Sequence, residues 1–152
     1  MAARCSRRRF LLASLLVGCL LGLALGLLGR GYLVILQQSE WLEDMLDRAS
    51  AQMAPVPHLR TAYFVMAVAI APLAEAYLFH GLLYRALDRE WRGWRAVVGS
   101  AAFSAVYHPP LSWLPVGLLG MANALMFRKA GRPAPAVLSH MVYNAVVLGR
   151  WT

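Results

Sequence analysis

Residues 10–28, FLLASLLVGCLLGLALGLL, contain no charged side chain. At about 1.5 Å per residue, a helix of 19 residues is about 28 Å long. That length is close to the roughly 30 Å hydrocarbon core of a bilayer. The stretch therefore predicts a helix that spans a membrane, and it makes a bilayer the expected solvent for the chain.

The composition agrees with a membrane environment. Apolar residues make up 60% of the 152 residues and charged residues 14%, against roughly 25% charged in soluble domains. The net charge of +8 would suggest nucleic-acid binding in a soluble protein. Here the basic residues lie between apolar stretches, so they indicate membrane topology, and no nucleic-acid partner is predicted.

Four further apolar runs predict an all-α, polytopic membrane protein with about five spans. They cover residues 61–83, 96–108, 111–127 and 134–149. The run 96–108 has 13 residues and stops at a Pro-Pro pair, so it is too short to cross a bilayer alone. We divide the chain into a basic N-terminus with an anchor helix (1–36), an interfacial connector (37–60) and a four-helix core (61–152).

The connector is predicted to be an amphipathic helix in the membrane interface, because its apolar residues share one helical face. They are Trp41, Leu42, Met45, Leu46 and Ala49. In the anchor helix, Gly18, Gly22 and Gly26 recur every four residues, a pattern that lets two membrane helices approach closely. It predicts helix packing and, with a second copy of the chain, self-association.

Two patterns in the anchor resemble export signals. Residues 6–11 resemble a twin-arginine signal, and residues 16–19 resemble a lipoprotein cleavage box. The apolar run continues for nine residues after Cys19, which favours an uncleaved anchor, while cleavage or lipidation stays open.

The basic residues predict the orientation. With the N-terminus inside, 11 of the 15 basic residues lie on the inner side and 4 on the outer side, as the positive-inside rule requires. We therefore expect an integral membrane protein, in a bacterial inner membrane, with a cytoplasmic N-terminus. The outer residues are Arg30, Arg48, Arg60 and Arg150.

Four polar residues within the runs are candidates for chemistry. Glu75 costs roughly 2.5 to 3.5 kcal/mol to insert, so we expect it to face an internal cavity. Pro72, three residues earlier, should bend this helix. His108 ends the short run, and His140 and Asn144 lie four apart on one face of the last helix. Helix rise places Glu75, His108 and His140 at depths within the bilayer that one cavity can share.

Three ordered segments carry a family resemblance: EAYLFHGLL at 75–83, SAVYH at 104–108 and HMVYN at 140–144. They resemble the motifs E-E-x-x-x-R, F-x-x-x-H and H-x-x-x-N/D of the CPBP intramembrane proteases. That group contains the type II CAAX prenyl endopeptidases and bacteriocin-immunity relatives. Three positions depart from the motifs, with Ala76 for the second glutamate, His80 for the arginine and Ser104 for the phenylalanine.

The resemblance implies a four-helix catalytic core and an intramembrane endopeptidase that cuts near the C-terminus of a membrane-associated protein. It further implies that Glu75 activates water with help from His108. His140 and Asn144 would then steady the oxyanion.

Alternatives remain at this stage. Glu75, His108 and His140 could bind zinc, although no local H-E-x-x-H places two ligands on one helix, so a site without a cofactor is preferred. His108 and His140 could instead be axial ligands of a haem. Loss of the family residues at Ala76 and His80 would also suit a non-catalytic membrane binding or immunity protein.

Overall fold

The structure is a computed structural model, and it describes residues 2–42, 44, 47–48 and 58–149. Within these ranges the chain is helical and contains no strand, which confirms the all-α prediction. The main helices are α1 (Ala2–Leu36), α2 (Leu59–Glu90), α3 (Trp94–Val106), α4 (Trp113–Ala130) and α5 (Ala134–Leu148). A 3-10 turn, Pro110–Ser112, precedes α4.

The connector is described only in part. Residues 40–42 are helical, with Trp41 exposed and Leu42 buried. Met45, Leu46 and Ala49, on which the amphipathic prediction also depends, lie outside the described residues.

Three of the helical segments are long and apolar enough to cross a membrane: Arg9–Leu36, Leu59–Glu90 and Pro110–Ala130. The helices α3 and α5 are shorter, with 13 and 15 residues. The large apolar side chains on α2 that are more than half exposed, such as Leu73 and Tyr77, fit a surface that faces lipid. The chain is an integral membrane protein, and its predicted orientation stays a prediction.

The glycine stripe of α1 packs against α5 of the same chain. A Cβ atom on Gly18 would collide with the carbonyl oxygen of Pro135, and one on Gly22 with that of Ser139. The close packing predicted from this stripe is therefore present. The prediction that a second copy packs there is corrected, because α5 already covers this face and the backbones leave no room for another helix.

Gly22→Leu is expected to destabilise the protein by about 1–3 kcal/mol or more, because the new side chain would push α1 away from the backbone of α5. Gly31→Leu on the same helix is the matched control, since a Cβ at Gly31 meets nothing within 4 Å. Thermal unfolding in detergent measures both variants. Equal melting temperatures for the two would contradict this packing.

The helix α2 widens into π-helical turns on both sides of Glu75, at Met66–Ile70 and at Ala76–Leu83. In the first of these, the N–H of Ala71 donates to the carbonyl of Met66, five residues back. The same register would bond the carbonyl of Ala67 to the N–H of residue 72, but Pro72 has none. The carbonyl of Ala67 is thus left for a donor from another helix.

Small side chains join α3 to its neighbours. Ala96, Ser100 and Ala101 are almost fully buried, and a Cβ on Gly120 of α4 would lie 3.2 Å from the Cα of Ala101. Ser100 also donates from Oγ to the carbonyl of Phe79 at 2.8 Å, in the second π-helical segment of α2. Close contact through small residues is typical of membrane helices. It brings the last turn of α3 next to Glu75.

Candidate active site

Glu75 lies between two imidazoles, His108 from the turn that follows α3 and His140 from α5. Its Oε1 is 3.7 Å from Nε2 of His108, and its Oε2 is 3.9 Å from Nδ1 of His140. The three side chains are 15%, 25% and 9% exposed for Glu75, His108 and His140. Both distances exceed a hydrogen bond, so the carboxylate and the imidazoles face each other without direct hydrogen bonds. The structure brings these three predicted residues together.

The orientation of His108 follows from its backbone partners. Its Nδ1 lies 2.8 Å from the carbonyl oxygen of Ser104, and because a carbonyl only accepts, Nδ1 carries the hydrogen. In neutral His108 the lone pair of Nε2 then faces Glu75. Trp113 donates from Nε1 to the carbonyl of His108 at 2.8 Å and holds this turn against the start of α4.

Asn144 is held by α2 rather than by Glu75. Its Nδ2 donates to the carbonyl of Ala67 at 2.7 Å, which is the carbonyl that Pro72 leaves without a backbone partner. The bond ties α5 to the first π-helical segment of α2, one turn from His140. Nδ2 carries two hydrogens, so this contact uses one of them.

A small cavity lies beside Glu75. Its volume is about 10 Å³, which is about the room that one water molecule requires. The polar residues that line it come from four helices, and the rest of the lining is apolar or glycine. They are Glu75, His80, Ser104, Asn123 and His140.

The comparisons with known proteins identify the family. A family profile described as Type II CAAX prenyl endopeptidase Rce1-like matches residues 57–146, which is more than half of the chain. The chain belongs to the Rce1-like family. The matched range includes Glu75, His108, His140 and Asn144. Neither a comparison with curated proteins nor one with solved structures finds a match.

The Rce1-like family is a protease family, so the resemblance to intramembrane proteases is confirmed. At all three positions where this chain departs from the family motif, Ala76, His80 and Ser104, the side chains are buried. Ala76 is 3% exposed, and His80 is 4% exposed and stacks on Phe127 with ring centroids 6.4 Å apart. His80 reaches the cavity beside Glu75 from this position.

Sequence reasoning missed Asn123. It is 1% exposed, lies on α4 outside all three motifs, and lines the cavity together with Glu75 and His140. The sequence contained a signal for it, because Asn123 is a carboxamide side chain within the apolar run 111–127. Polar side chains within a membrane are costly and are expected to have a function. This member of the Rce1-like family thus places more polar groups around Glu75 than its motifs name.

The zinc alternative stays a prediction. Across the described ranges, no group of three His, Cys, Asp or Glu side chains is arranged to hold a metal ion. The haem alternative also stays a prediction, and His108 and His140 approach the same carboxylate, at 3.7 Å and 3.9 Å.

Proposed function

We propose that this protein is an intramembrane endopeptidase in which Glu75 activates water. The observation that carries the proposal is the position of Glu75, between His108 and His140 and beside a cavity that fits one water molecule. A carboxylate inside a membrane protein is expensive, and it is expected where it has a function. The membership of a protease family supports the same assignment.

The proposed reaction is the hydrolysis of a peptide bond. Glu75 takes a proton from water, and the water oxygen forms a bond to the carbonyl carbon of the substrate. The C=O π electrons move to the oxygen, and His140 and Asn144 donate hydrogen bonds to the resulting oxyanion. The oxyanion electrons then re-form the C=O bond as the C–N bond breaks, and the proton held by Glu75 passes to the leaving amine. His108 assists Glu75 in these proton transfers. The products are a carboxylic acid and an amine.

The substrate class that we propose is a membrane-associated protein cut near its C-terminus. The description of the family names CAAX prenyl endopeptidases, which suggests a lipid-modified C-terminus as one form of this substrate. The side of the site that carries His108 supports access from the bilayer. His108 is the most exposed of the three residues around Glu75, and the adjacent Tyr107 is 75% exposed.

The experiment that tests this function is C-terminal peptide mapping of the membrane proteome in the native host. Strains that carry the wild-type chain or Glu75→Gln are compared. A C-terminus that is shortened only with the wild-type chain identifies both the activity and the substrate. The absence of any difference between the strains, with both proteins present in the membrane, would contradict the proposal.

We propose that the site works without a metal or other cofactor. Purified protein is expected to keep its turnover after treatment with a strong chelator, because its own carboxylate and imidazoles supply the base and the donors. The measurement is peptidase activity before and after chelation, and again after zinc is added. If chelation abolishes the activity and zinc restores it, the metal-free mechanism is wrong and a metalloprotease mechanism takes its place.

A non-catalytic membrane binding or immunity protein is the second candidate. The observation in its favour is that Ala76 and His80, both buried, stand where the family motif has a glutamate and an arginine. Such a protein would keep its cellular function after Glu75→Gln, whereas the protease would lose it.

A further inference from the structure

Two buried side chains on the wall of the cavity, His80 and Asn123, have no part in the mechanism above. Within the described ranges, Nδ1 of His80 and Oδ1 of Asn123 have no hydrogen-bond partner, and Oε2 of Glu75 is in the same condition. All three residues line one cavity. A buried polar atom without a partner is costly in an apolar environment, so three of them around one space indicate a bound polar molecule.

The cavity selects the size of that molecule. A volume of about 10 Å³ is about the room that one water molecule requires. A buried water makes about three hydrogen bonds to protein groups that otherwise lack partners. The number of unpartnered atoms on this wall agrees with that requirement.

We propose that His80 and Asn123 bind and orient the water molecule that Glu75 activates. The inference rests on the proposed function. The water donates one hydrogen to Oε2 of Glu75 and the other to Oδ1 of Asn123, and one of its lone pairs accepts the N–H of His80 at Nδ1. The second lone pair is left for attack on the substrate carbonyl carbon. His80 thus supplies a neutral donor at the position where the family motif has arginine.

The π-helical segment of α2 explains how Glu75 and His80 can line the same cavity. Residues five apart on an α-helix are about 140° apart around the axis. In a π-helix the hydrogen bonds join residues five apart, so each turn holds more residues and the residue at i+5 is rotated less far from residue i. Because Ala76–Leu83 is π-helical, His80 follows Glu75 into the same cavity.

The first test is kinetic, with a lipid-modified peptide that wild-type protein cleaves. His80→Phe keeps an aromatic ring against Phe127, and Asn123→Leu keeps the volume, but each removes a water ligand. We expect kcat to fall by about 100-fold in each, as for a misplaced reactant, with KM unchanged because neither side chain contacts the peptide. His80→Asn and Asn123→Asp retain a polar atom near the lost one and should recover most of the turnover.

Matched controls come from two other buried hydroxyls. Those of Tyr84 and Ser139 also lack a hydrogen-bond partner in the described part of the chain, but neither residue lines the cavity. Tyr84 is as buried as His80 and contacts the same ring of Phe127. Tyr84→Phe and Ser139→Ala should therefore keep wild-type kcat.

The second test does not depend on activity. Solid-state NMR of protein with ¹⁵N-labelled histidine, in lipid bilayers, measures magnetisation transfer from water protons to Nδ1 of His80. We expect transfer in the wild type and in Glu90→Gln, and its loss in Asn123→Leu. An inactive wild type that shows this transfer would overturn the protease and leave the water site standing. Absence of the transfer in folded wild type, or normal kcat in folded Asn123→Leu, would overturn the water site.

Discussion

Glu75→Gln is expected to lower turnover by about 100- to 10,000-fold, the range that a general base contributes. The substitution keeps the shape of the side chain and removes its ability to take a proton from water. Substrate binding should change little, because the amide still fills the same space between the two imidazoles. Turnover and substrate affinity of the purified protein, together with its detergent melting temperature, measure the effect.

Glu90→Gln is the matched control, because Glu90 is an exposed carboxylate at the end of the same helix. It should have wild-type turnover. Near-normal turnover in well-folded Glu75→Gln would exclude the proposed protease. Poor folding of Glu75→Gln, with normal turnover of the surviving protein, would instead indicate that Glu75 only ties helices together.

Asn144→Ala is expected to have the second largest effect, with turnover falling by about 100- to 1000-fold if the amide steadies the oxyanion. The structure adds a second consequence. Removal of the amide leaves the carbonyl of Ala67 without its donor, which should lower the free energy of unfolding by about 1–3 kcal/mol. The two effects must be separated before the loss of turnover is assigned to chemistry.

Pro72→Ala separates them, because alanine restores a backbone N–H in the part of α2 where the carbonyl of Ala67 lacks one. We expect Asn144→Ala to cost less stability in the Pro72→Ala background than in the wild type. Turnover should remain low in the double variant if Asn144 contacts the oxyanion. Turnover that returns to the level of Pro72→Ala alone would show that Asn144 acts only by holding α5 to α2.

The sequence determined the solvent and the principal residues of this protein. Long runs without charge, such as residues 10–28, form helices that are apolar all round, and in a chain of 152 residues such helices indicate a bilayer. Glu75 is identified from the sequence because a carboxylate within an apolar run is costly to insert into a membrane and is expected to have a function. The order of Glu75, His108 and His140 along the chain was enough to suggest the family, which the profile match then confirmed.

Only the tertiary structure shows which helices pack against each other and which side chains line the cavity beside Glu75. The stripe of Gly18, Gly22 and Gly26 indicates close packing, but a pattern on one helix does not identify its partner, which is α5 of the same chain. Asn123 lies on a helix without a motif, so only packing could bring it to Glu75. His80 could not be placed by periodicity, because a regular α-helix would turn it away from Glu75. The π-helical turn after Glu75 changes the number of residues per turn and brings the two side chains to one cavity.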